Sequence, residues 1–440
     1  MAAQQPKPLT LRRNFSWTFV GNFVYAACQW GMLVVLAKLG TPEMVGQFTL
    51  GLAVTAPVIM FTNLQLWAVL VTDAKNEYIF GDYLGLRLFM TGLALAIIIG
   101  ITLVAGYRWE TSLVILLVGL SKAVESISEV FYALLQKHER MDRIAISMMI
   151  KGCLSLLLLG LGVYLTHSVL WGVVGLVAAW VVLLVSYDIR SGALMLNTAS
   201  QKPQGEVLAE TEKALELLPR WQFMKMRKLI WLSLPLGIVM MLLSLNTNIP
   251  RYFIERSLGE RELGVFAAIS YLMVAGTMVV SALGQSASPR LAKYYAAGES
   301  KAFRMLLLKL VGISAIMGII GFLVSAIAGR EILTLFYRPE YAERADLLVW
   351  LMVAAGINYV SSFLGYGMTA ARYFRVQMPL FALVTTISAT TCFWLIPTYG
   401  LQGAAIALIL AAIFQAVVSL GVIIHATHNI HKHHEYELKE

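Results

Sequence analysis

Residues 119–136, GLSKAVESISEVFYALLQ, lie where the chain is apolar enough to be in lipid, yet they carry Lys122, Glu125 and Glu129. On a helical wheel at ~100° per residue, Lys122, Glu125, Ser126, Glu129 and Gln136 fall within about 100° of one another. Leu120, Val124, Ile127, Phe131 and Leu135 take the opposite face. Charges facing lipid are expensive, so the polar stripe must face a bundle interior or a water-filled cavity. A Lys122–Glu125 pair accounts for two of the charges and leaves Glu129 over, which calls for a solvated or ion-binding site.

The rest of the chain supplies the membrane. Of 440 residues, 59% are hydrophobic and only 13% charged, and the mean hydropathy is +0.73, far outside the soluble range. Twelve apolar stretches long enough to cross a ~30 Å hydrocarbon core fall near 14–38, 44–72, 84–106, 111–136, 144–165, 169–191, 229–254, 263–288, 303–328, 346–371, 377–397 and 403–426. The first is too long for a signal-peptide core and lacks a small-residue exit, so it is expected to stay. Cys28, Cys153 and Cys392 each lie inside a span without C-x-x-C spacing and read as small core residues.

Orientation follows from the basic residues. Counting alternate loops, 23 Lys and Arg fall on one side and 8 on the other, with Lys122, Lys151 and Lys309 inside spans. The positive-inside rule then places both termini in the cytoplasm. This bias, with attraction to anionic headgroups, accounts for most of the net charge of +9 without any nucleic-acid partner.

The longest polar interruption, 192–228, divides the spans six and six. LAKLGTPEMVGQFTLG after the first span and IERSLGERELGVFAAI after the seventh share Leu-Gly and then Gly-x-Phe, and WGVVG and YGLQG open the sixth and twelfth. The offsets from Gly40 to Gly259 and from Gly172 to Gly400 agree with a duplicated six-helix unit, whose even helix number relates the copies by an axis along the membrane normal. The expected organisation is a lobe at 1–191, a cytoplasmic linker at 192–228 ending in an interfacial amphipathic helix around RWQFMKMRK, a second lobe at 229–426 and a cytoplasmic tail at 427–440.

Polar stripes recur on other spans. The first carries Asn14, Thr18, Asn22, Tyr25 and Gln29; the seventh Ser233, Gly237, Ser244, Asn248, Arg251 and Glu255; the tenth Asn358, Ser362, Tyr366, Thr369 and Arg372. The second offers Thr55, Thr62, Gln65 and Asp73, and the eighth a run of hydroxyls with Gln285. Hydroxyls can bond back to the preceding turn, so the Asn, Gln and charged residues carry the argument. A cavity lined by spans 1, 2 and 4 of one half and 7, 8 and 10 of the other is transporter architecture. Arg251, Lys122, Lys151 and Lys38 would face it, with Arg87, Arg290 and Arg372 near the cytoplasmic mouth. Such a set favours an anionic ligand, and Arg suits phosphate oxygens. Arg251 stands out because Pro250 is expected to interrupt the helix beside it and expose carbonyls.

LAKLGTPEMVGQFTLGLAVTAPVIMFTNLQL, ALLQKHERMDRIAIS, NIPRYFIERSLGERELGVFAAISYL, SPRLAKYYAAG, LFYRPEYAERADLLVWL and PTYGLQGAAIAL resemble, in order and over nearly the whole chain, the polysaccharide transporters (Wzx-type O-antigen and capsule flippases) of the multidrug/oligosaccharidyl-lipid/polysaccharide (MOP) exporter superfamily. The resemblance implies an all-α polytopic membrane protein of about 12 transmembrane helices in two pseudo-symmetric six-helix bundles forming a V-shaped central cavity, MATE-like. It implies a flippase in the bacterial cytoplasmic membrane that moves polyprenyl-diphosphate-linked oligosaccharide to the outer leaflet for surface polysaccharide synthesis, in association with a polymerase and chain-length regulator. It would place Arg251, Lys122 and Lys38 at the diphosphate or acidic sugars, with Tyr25, Tyr252 and Tyr359 against sugar rings. Lys151, Asn22, Gln29, Asn248 and Asn358 join the substrate-facing set. Asp73, Glu125, Glu129, Arg290 and Arg372 would couple or gate.

Two rivals stay open. A cation-coupled antiporter of small molecules shares the two lobes, though a positive cavity argues against it. A polysaccharide polymerase or ligase would be an enzyme, but such enzymes need a sizeable outer loop, and the longest here, GREILTLFYRPEYAERAD, is short and fits the transporter motif. No cofactor is called for; proton, sodium, membrane potential or downhill exchange all fit as the driving force. Five of the seven His crowd the C-terminal end, where a solvated tail explains them more simply than a metal site.

Overall fold

The computed structural model describes residues 10–73, 77–199 and 218–437, and its regular elements are all helical. Residues 200–217 of the expected linker, with the run of Glu206, Glu210, Glu212 and Glu216, lie outside the described residues. Two compact units result, Met1–Ser244 and Leu245–Glu440.

The N-terminal unit contains α1 (Leu11–Leu39), α2 (Pro42–Thr62), the short α3 (Leu66–Thr72), α4 (Phe80–Ala105), α5 (Trp109–Lys137), α6 (Met141–Thr166), α7 (Val169–Leu183), a π-helical turn (Leu184–Asp188) and α8 (Ile189–Ala199). The first part of α9 (Phe223–Leu258) also belongs to it. Thr41 and Pro42 set the start of α2: the Thr41 hydroxyl accepts from the Met44 amide at 3.4 Å, and Pro42 occupies a position whose N–H has no helical acceptor. The helix carrying the opening stretch, α5, packs against α2, α3, α4, α7 and α8. Val124, Phe131 and Leu135 are buried, with Phe131 against Phe80 at 5.4 Å between ring centres. A helix enclosed by protein on several sides can hold charges that a lipid-facing helix cannot.

The C-terminal unit continues with α10 (Glu260–Tyr271), α11 (Met273–Ala296), α12 (Ser300–Phe336), α13 (Pro339–Ala342), α14 (Ala345–Ala370) and α15 (Phe374–Glu437), the last broken at Gly400. Its core gathers Leu291, Phe303, Leu307, Phe363, Met368 and Val384. The motif residues Tyr337 and Tyr341 are buried, and the Tyr337 hydroxyl donates to the Ala268 carbonyl at 2.8 Å. Arg261 pairs with Glu340 at 3.5 Å and Arg344 with Glu262 at 3.4 Å, so two separated motifs fold against each other.

Among the described residues nine helices are long and apolar enough to cross a membrane, ten if the bent pair α10–α11 is one span. To these α5 adds the stretch 111–136, and the break at Gly400 divides α15 in two. With these, each of the twelve apolar stretches falls on helical segments, 44–72 and 263–288 on two each. Large apolar side chains such as Phe15, Phe19, Phe23, Leu103 and Val104 are exposed, as lipid-facing positions require. The protein is a multi-pass membrane protein.

The internal echo has structural content in each unit. α1 ends at Gly40 and α9 at Gly259, whose φ of +90° turns the chain into α10. The Phe of each Gly-x-Phe, Phe48 and Phe266, is buried just beyond. In the second echo, Gly175 and Gly403 each lie where a Cβ would collide with a carbonyl of the preceding stretch of helix, that of Leu158 or Leu395.

Several expectations change. The stretch 44–72 is not one helix: Leu64 and Gln65 adopt left-handed backbone, φ +50° and +52°, which separates α3 from α2. The helix α9 runs unbroken through Pro250, since Pro removes only its own N–H and neighbouring helices tolerate the loss. No separate interfacial helix covers RWQFMKMRK, because Phe223–Lys228 already forms the first turns of α9. Cys153 is exposed rather than in the core, while Cys28 and Cys392 are buried.

Candidate functional site

A cavity of about 370 Å³ opens inside the N-terminal unit between α1, α3, α5 and α6. α1 contributes Thr18, Asn22 and Tyr25, α3 Trp67, and α5 Glu125, Glu129, Tyr132 and Gln136. The fifth span also lines it through α6, with Met148 and with Lys151, which was expected to face the cavity although the span itself was not counted in its wall. α1 and α6 can approach closely because Gly21 has no side chain: a Cβ there would lie 2.7 Å from the Ala145 Cα.

The wall is a set of paired charges. Glu125 Oε1 accepts from the Tyr25 hydroxyl at 2.6 Å, and its Oε2 accepts from Lys122 Nζ at 2.8 Å. Lys122 also lies 5.0 Å from the centre of the Trp180 ring. Glu129 Oε2 accepts from Asn63 Nδ2 at 3.0 Å and lies 3.9 Å from Arg87 Nη2. Arg87, only 1% exposed, donates through Nη1 to Asn63 Oδ1. The left-handed residues after Asn63 end α2 at the point where its amide bridges Arg87 and Glu129.

Lys151 is equally buried, with its ammonium 5.1 Å from the Tyr132 ring and 5.4 Å from the Trp180 ring. Such cation–π contacts strengthen when desolvated. Behind it, the Tyr132 hydroxyl bonds Ser147 at 2.8 Å and Ser147 donates to Asp188 Oδ1 at 2.5 Å. Asp188 closes the π-helical turn and is fully buried. Arg87, Lys122 and Lys151 therefore face Glu125, Glu129 and Asp188, three charges of each sign.

Other expected site residues lie elsewhere. Gln29 is one turn beyond Tyr25 on α1, and Lys38 is exposed in the last turn of α1, where positive charge suits the helix dipole. Asp73 sits beyond α3 and accepts from the amides of Glu77 and Tyr78 at 3.0 and 3.2 Å and from the Tyr83 hydroxyl at 3.1 Å. Burial opposes its ionisation, but these three donors outweigh it and hold the carboxyl below its ordinary range. It organises a turn.

In the C-terminal unit, Arg251 is half-buried on α9 and donates to Asn248 Oδ1 at 2.9 Å. The phenols of Tyr252 and Tyr271 lie near it, and among the described residues no carboxylate pairs with it. Asn358 is half-buried on α14. Tyr359, expected against a sugar, is instead a core residue: it is buried among Val280, Phe363 and Leu364, and its hydroxyl donates to the Met273 carbonyl at 2.8 Å. Arg290 and Arg372 are exposed, Arg372 in a left-handed turn after α14. The hydroxyls of Ser270, Thr277 and Ser288 bond backbone carbonyls of the preceding turn, which removes most of the eighth span's polar stripe from consideration.

Sequence reasoning missed Asn63, Trp67, Trp180 and Asp188. Asp188 left a usable signal, a single acidic residue near the end of a span otherwise apolar all round. Trp180 left none, since one aromatic among many apolar neighbours has no periodic signature.

The comparisons with known proteins bear on the whole chain. A family model described as polysaccharide biosynthesis protein matches residues 11–295. The chain is 29% identical over 409 residues to the capsular polysaccharide biosynthesis protein CapF of Staphylococcus aureus, covering 92% of this chain and 97% of that protein. An inward-facing MATE-family multidrug resistance transporter of the MOP superfamily superposes with a TM-score of 0.70 at 12% identity, over 93% of this chain and 98% of its own. A MOP-superfamily transporter from Pyrococcus furiosus, described as having a binding pocket of reverse polarity, gives 0.61 at 12% identity over 94% of both chains. The fold is that of these transporters.

Proposed function

Because the chain belongs to the polysaccharide biosynthesis protein family, with the fold of MOP-superfamily transporters, we propose that it flips polyprenyl-diphosphate-linked oligosaccharide. Movement would run from the cytoplasmic to the outer leaflet of the bacterial cytoplasmic membrane, by alternating access, with both termini in the cytoplasm. Family and fold together point to a transporter rather than an enzyme.

The observation that carries the reading is Arg251. A guanidinium on a membrane-spanning helix, oriented by Asn248 and without a carboxylate partner among the described residues, is poised to receive an anion, and its planar donors match phosphate oxygens. Arg87, Lys122 and Lys151 are already engaged with carboxylates or aromatic rings. Arg251 is thus the cation of the expected set best suited to the diphosphate.

The test is a transbilayer assay in proteoliposomes, using labelled polyprenyl-diphosphate oligosaccharide and a sugar-modifying enzyme confined to one side. A hydrogen bond to a charged group contributes ~1.5–3 kcal/mol, so Arg251→Ala should slow exchange about 10- to 150-fold, with Arg251→Lys in between. Exchange no faster than in protein-free vesicles would end the proposal, and an unaffected Arg251→Ala would end its diphosphate assignment. Small-cation antiport is the second reading, favoured by Glu125 and Glu129 on the cavity wall. It would be adopted if cations moved and the lipid did not.

A further inference from the structure

The cavity of the N-terminal unit has the lining of a carbohydrate site and the wrong charge for a phosphate. Its volume of about 370 Å³ corresponds to about twelve waters at ~30 Å³ each, which is room for one pyranose of about a dozen heavy atoms. Three aromatic rings, those of Tyr25, Trp67 and Tyr132, stand among a few polar groups, the usual composition of a small-molecule pocket.

Those polar groups have capacity to spare. Asn22 lines the cavity, and its amide has no hydrogen-bond partner among the described residues. Gln136 uses its Oε1 to accept from Trp67 Nε1 at 2.6 Å, which fixes the amide and leaves its NH₂ without an acceptor among the same residues. Glu129 is held by Asn63 and Arg87 through Oε2, and its Oε1 has no protein donor among them, on a side chain 30% exposed. A carboxylate oxygen and two amides around aromatic faces match the alternating donors and acceptors of sugar hydroxyls.

The charges select the sugar. Glu125, Glu129 and Lys151 line the cavity. Lys151 is almost fully buried between the Tyr132 and Trp180 rings, and Lys122 is bonded to Glu125. The lining thus presents two carboxylates against one buried ammonium, with Arg87 and Lys122 not among the lining residues, which disfavours a second carboxylate or a diphosphate and accommodates hydroxyls or an ammonium.

We propose that the cavity between α1, α3, α5 and α6 is a sugar subsite that takes one uncharged or amino sugar and rejects uronic acids. As a subsite of the transport path it rests on the flippase reading above, with Asn22, Glu129 and Gln136 as the contacts that determine specificity.

The experiment is saturation-transfer NMR on the full chain in lipid nanodiscs with methyl glucoside, methyl glucosaminide and methyl glucuronide, run beside the transbilayer assay. The first two should receive saturation at least threefold more strongly than the glucuronide. Glu129→Gln, which keeps an acceptor for Asn63, and Asn22→Ala, which removes an exposed amide, should each lower the signal at least threefold. Gln136→Lys should raise the glucuronide above the glucoside, a reversal that a merely structural role would not produce. Equal binding of all three glycosides, or signals indifferent to these variants, overturns the subsite even where lipid-linked oligosaccharide is still flipped. The expected selectivity without flipping keeps the sugar site and removes the transport reading.

Discussion

Replacing Asn63 by Ala tests whether the charge network of the N-terminal unit is held by one amide. Asn63 donates to Glu129 Oε2 at 3.0 Å and accepts from Arg87 Nη1, and Ala removes both bonds. In soluble proteins each charge-assisted bond contributes ~1.5–3 kcal/mol, whereas interhelical bonds in a membrane average ~0.6 and reach ~1.7 kcal/mol. Exposure decides between these scales. The Glu129 side chain is 30% exposed, so water can replace the lost donor and that bond belongs to the lower scale. Arg87 is 1% exposed, and its remaining contact with Glu129 is at 3.9 Å, so its freed N–H has no substitute. The sum expected is about 2 kcal/mol, most of it from Arg87. Equilibrium unfolding in mixed detergent micelles would measure it, and a double-mutant cycle with Glu129→Gln should give coupling below about 1 kcal/mol. A loss within the ~0.5 kcal/mol of an ordinary surface change would refute the reasoning, because the bridging amide would then not be holding Arg87.

Asp73, whose carboxyl lies below its ordinary range, contributes stability that is present above about pH 4, the unfolded value, and is lost as pH falls through its lower folded value. Carbon-detected NMR titration should find that value, and Tyr83→Phe, which removes a 3.1 Å donor, should raise it. Tyr337→Phe removes a buried bond to the Ala268 carbonyl and should lower unfolding free energy by about 1–2 kcal/mol in the micelle assay. Gly21→Val drives a side chain into Ala145 on α6 and should cost about 1–3 kcal/mol by overpacking; an unchanged midpoint would contradict the close approach of α1 and α6. Cys28 and Cys153 Sγ lie 3.9 Å apart, so a mild membrane-permeant oxidant should link them, detectable as an intrachain crosslinked peptide by mass spectrometry.

The membrane character of the fold and its helices are legible because hydropathy and the 3.6-residue period are summed over long windows. Each of the twelve apolar stretches falls on helical segments, although 44–72 and 263–288 each divide between two, and Lys122, Glu125, Glu129 and Gln136 share one face of α5 as their spacing required. What escaped depends on single residues or long-range contacts. The left-handed pair Leu64–Gln65 has no Gly or Pro to announce it, and Gly237 of α9 crosses there: a Cβ would lie 2.8 Å from the Phe61 carbonyl oxygen and 3.0 Å from Leu64. The π-helical turn at Leu184–Asp188 ends on Asp188, whose bond from Ser147 is a long-range contact that the local sequence does not announce. Tyr359 was misread because a tyrosine on a polar stripe has the same spacing whether its ring faces a cavity or a core.

The same distinction governs the charges. Counting cations along the spans suggests a positive interior, yet the N-terminal unit sets Arg87, Lys122 and Lys151 against Glu125, Glu129 and Asp188, and what it presents at the cavity wall is one free carboxylate oxygen and two amides. A paired cation has its donors occupied and its field cancelled at short range, so it attracts a phosphate weakly. Arg251 keeps its field because among the described residues no carboxylate pairs with it, while Asn248 accepts from it and two phenols lie near. Under the proposed function, Arg251 is assigned to the anionic end of the ligand, and the proposed subsite is assigned to its neutral rings. Independent losses in the two assays would show this: Arg251→Ala should slow exchange of every diphosphate-linked substrate whatever its sugar, whereas Gln136→Lys should alter which sugars are carried. If both variants changed the same property by the same factor, the two sites would not be acting on different parts of the ligand.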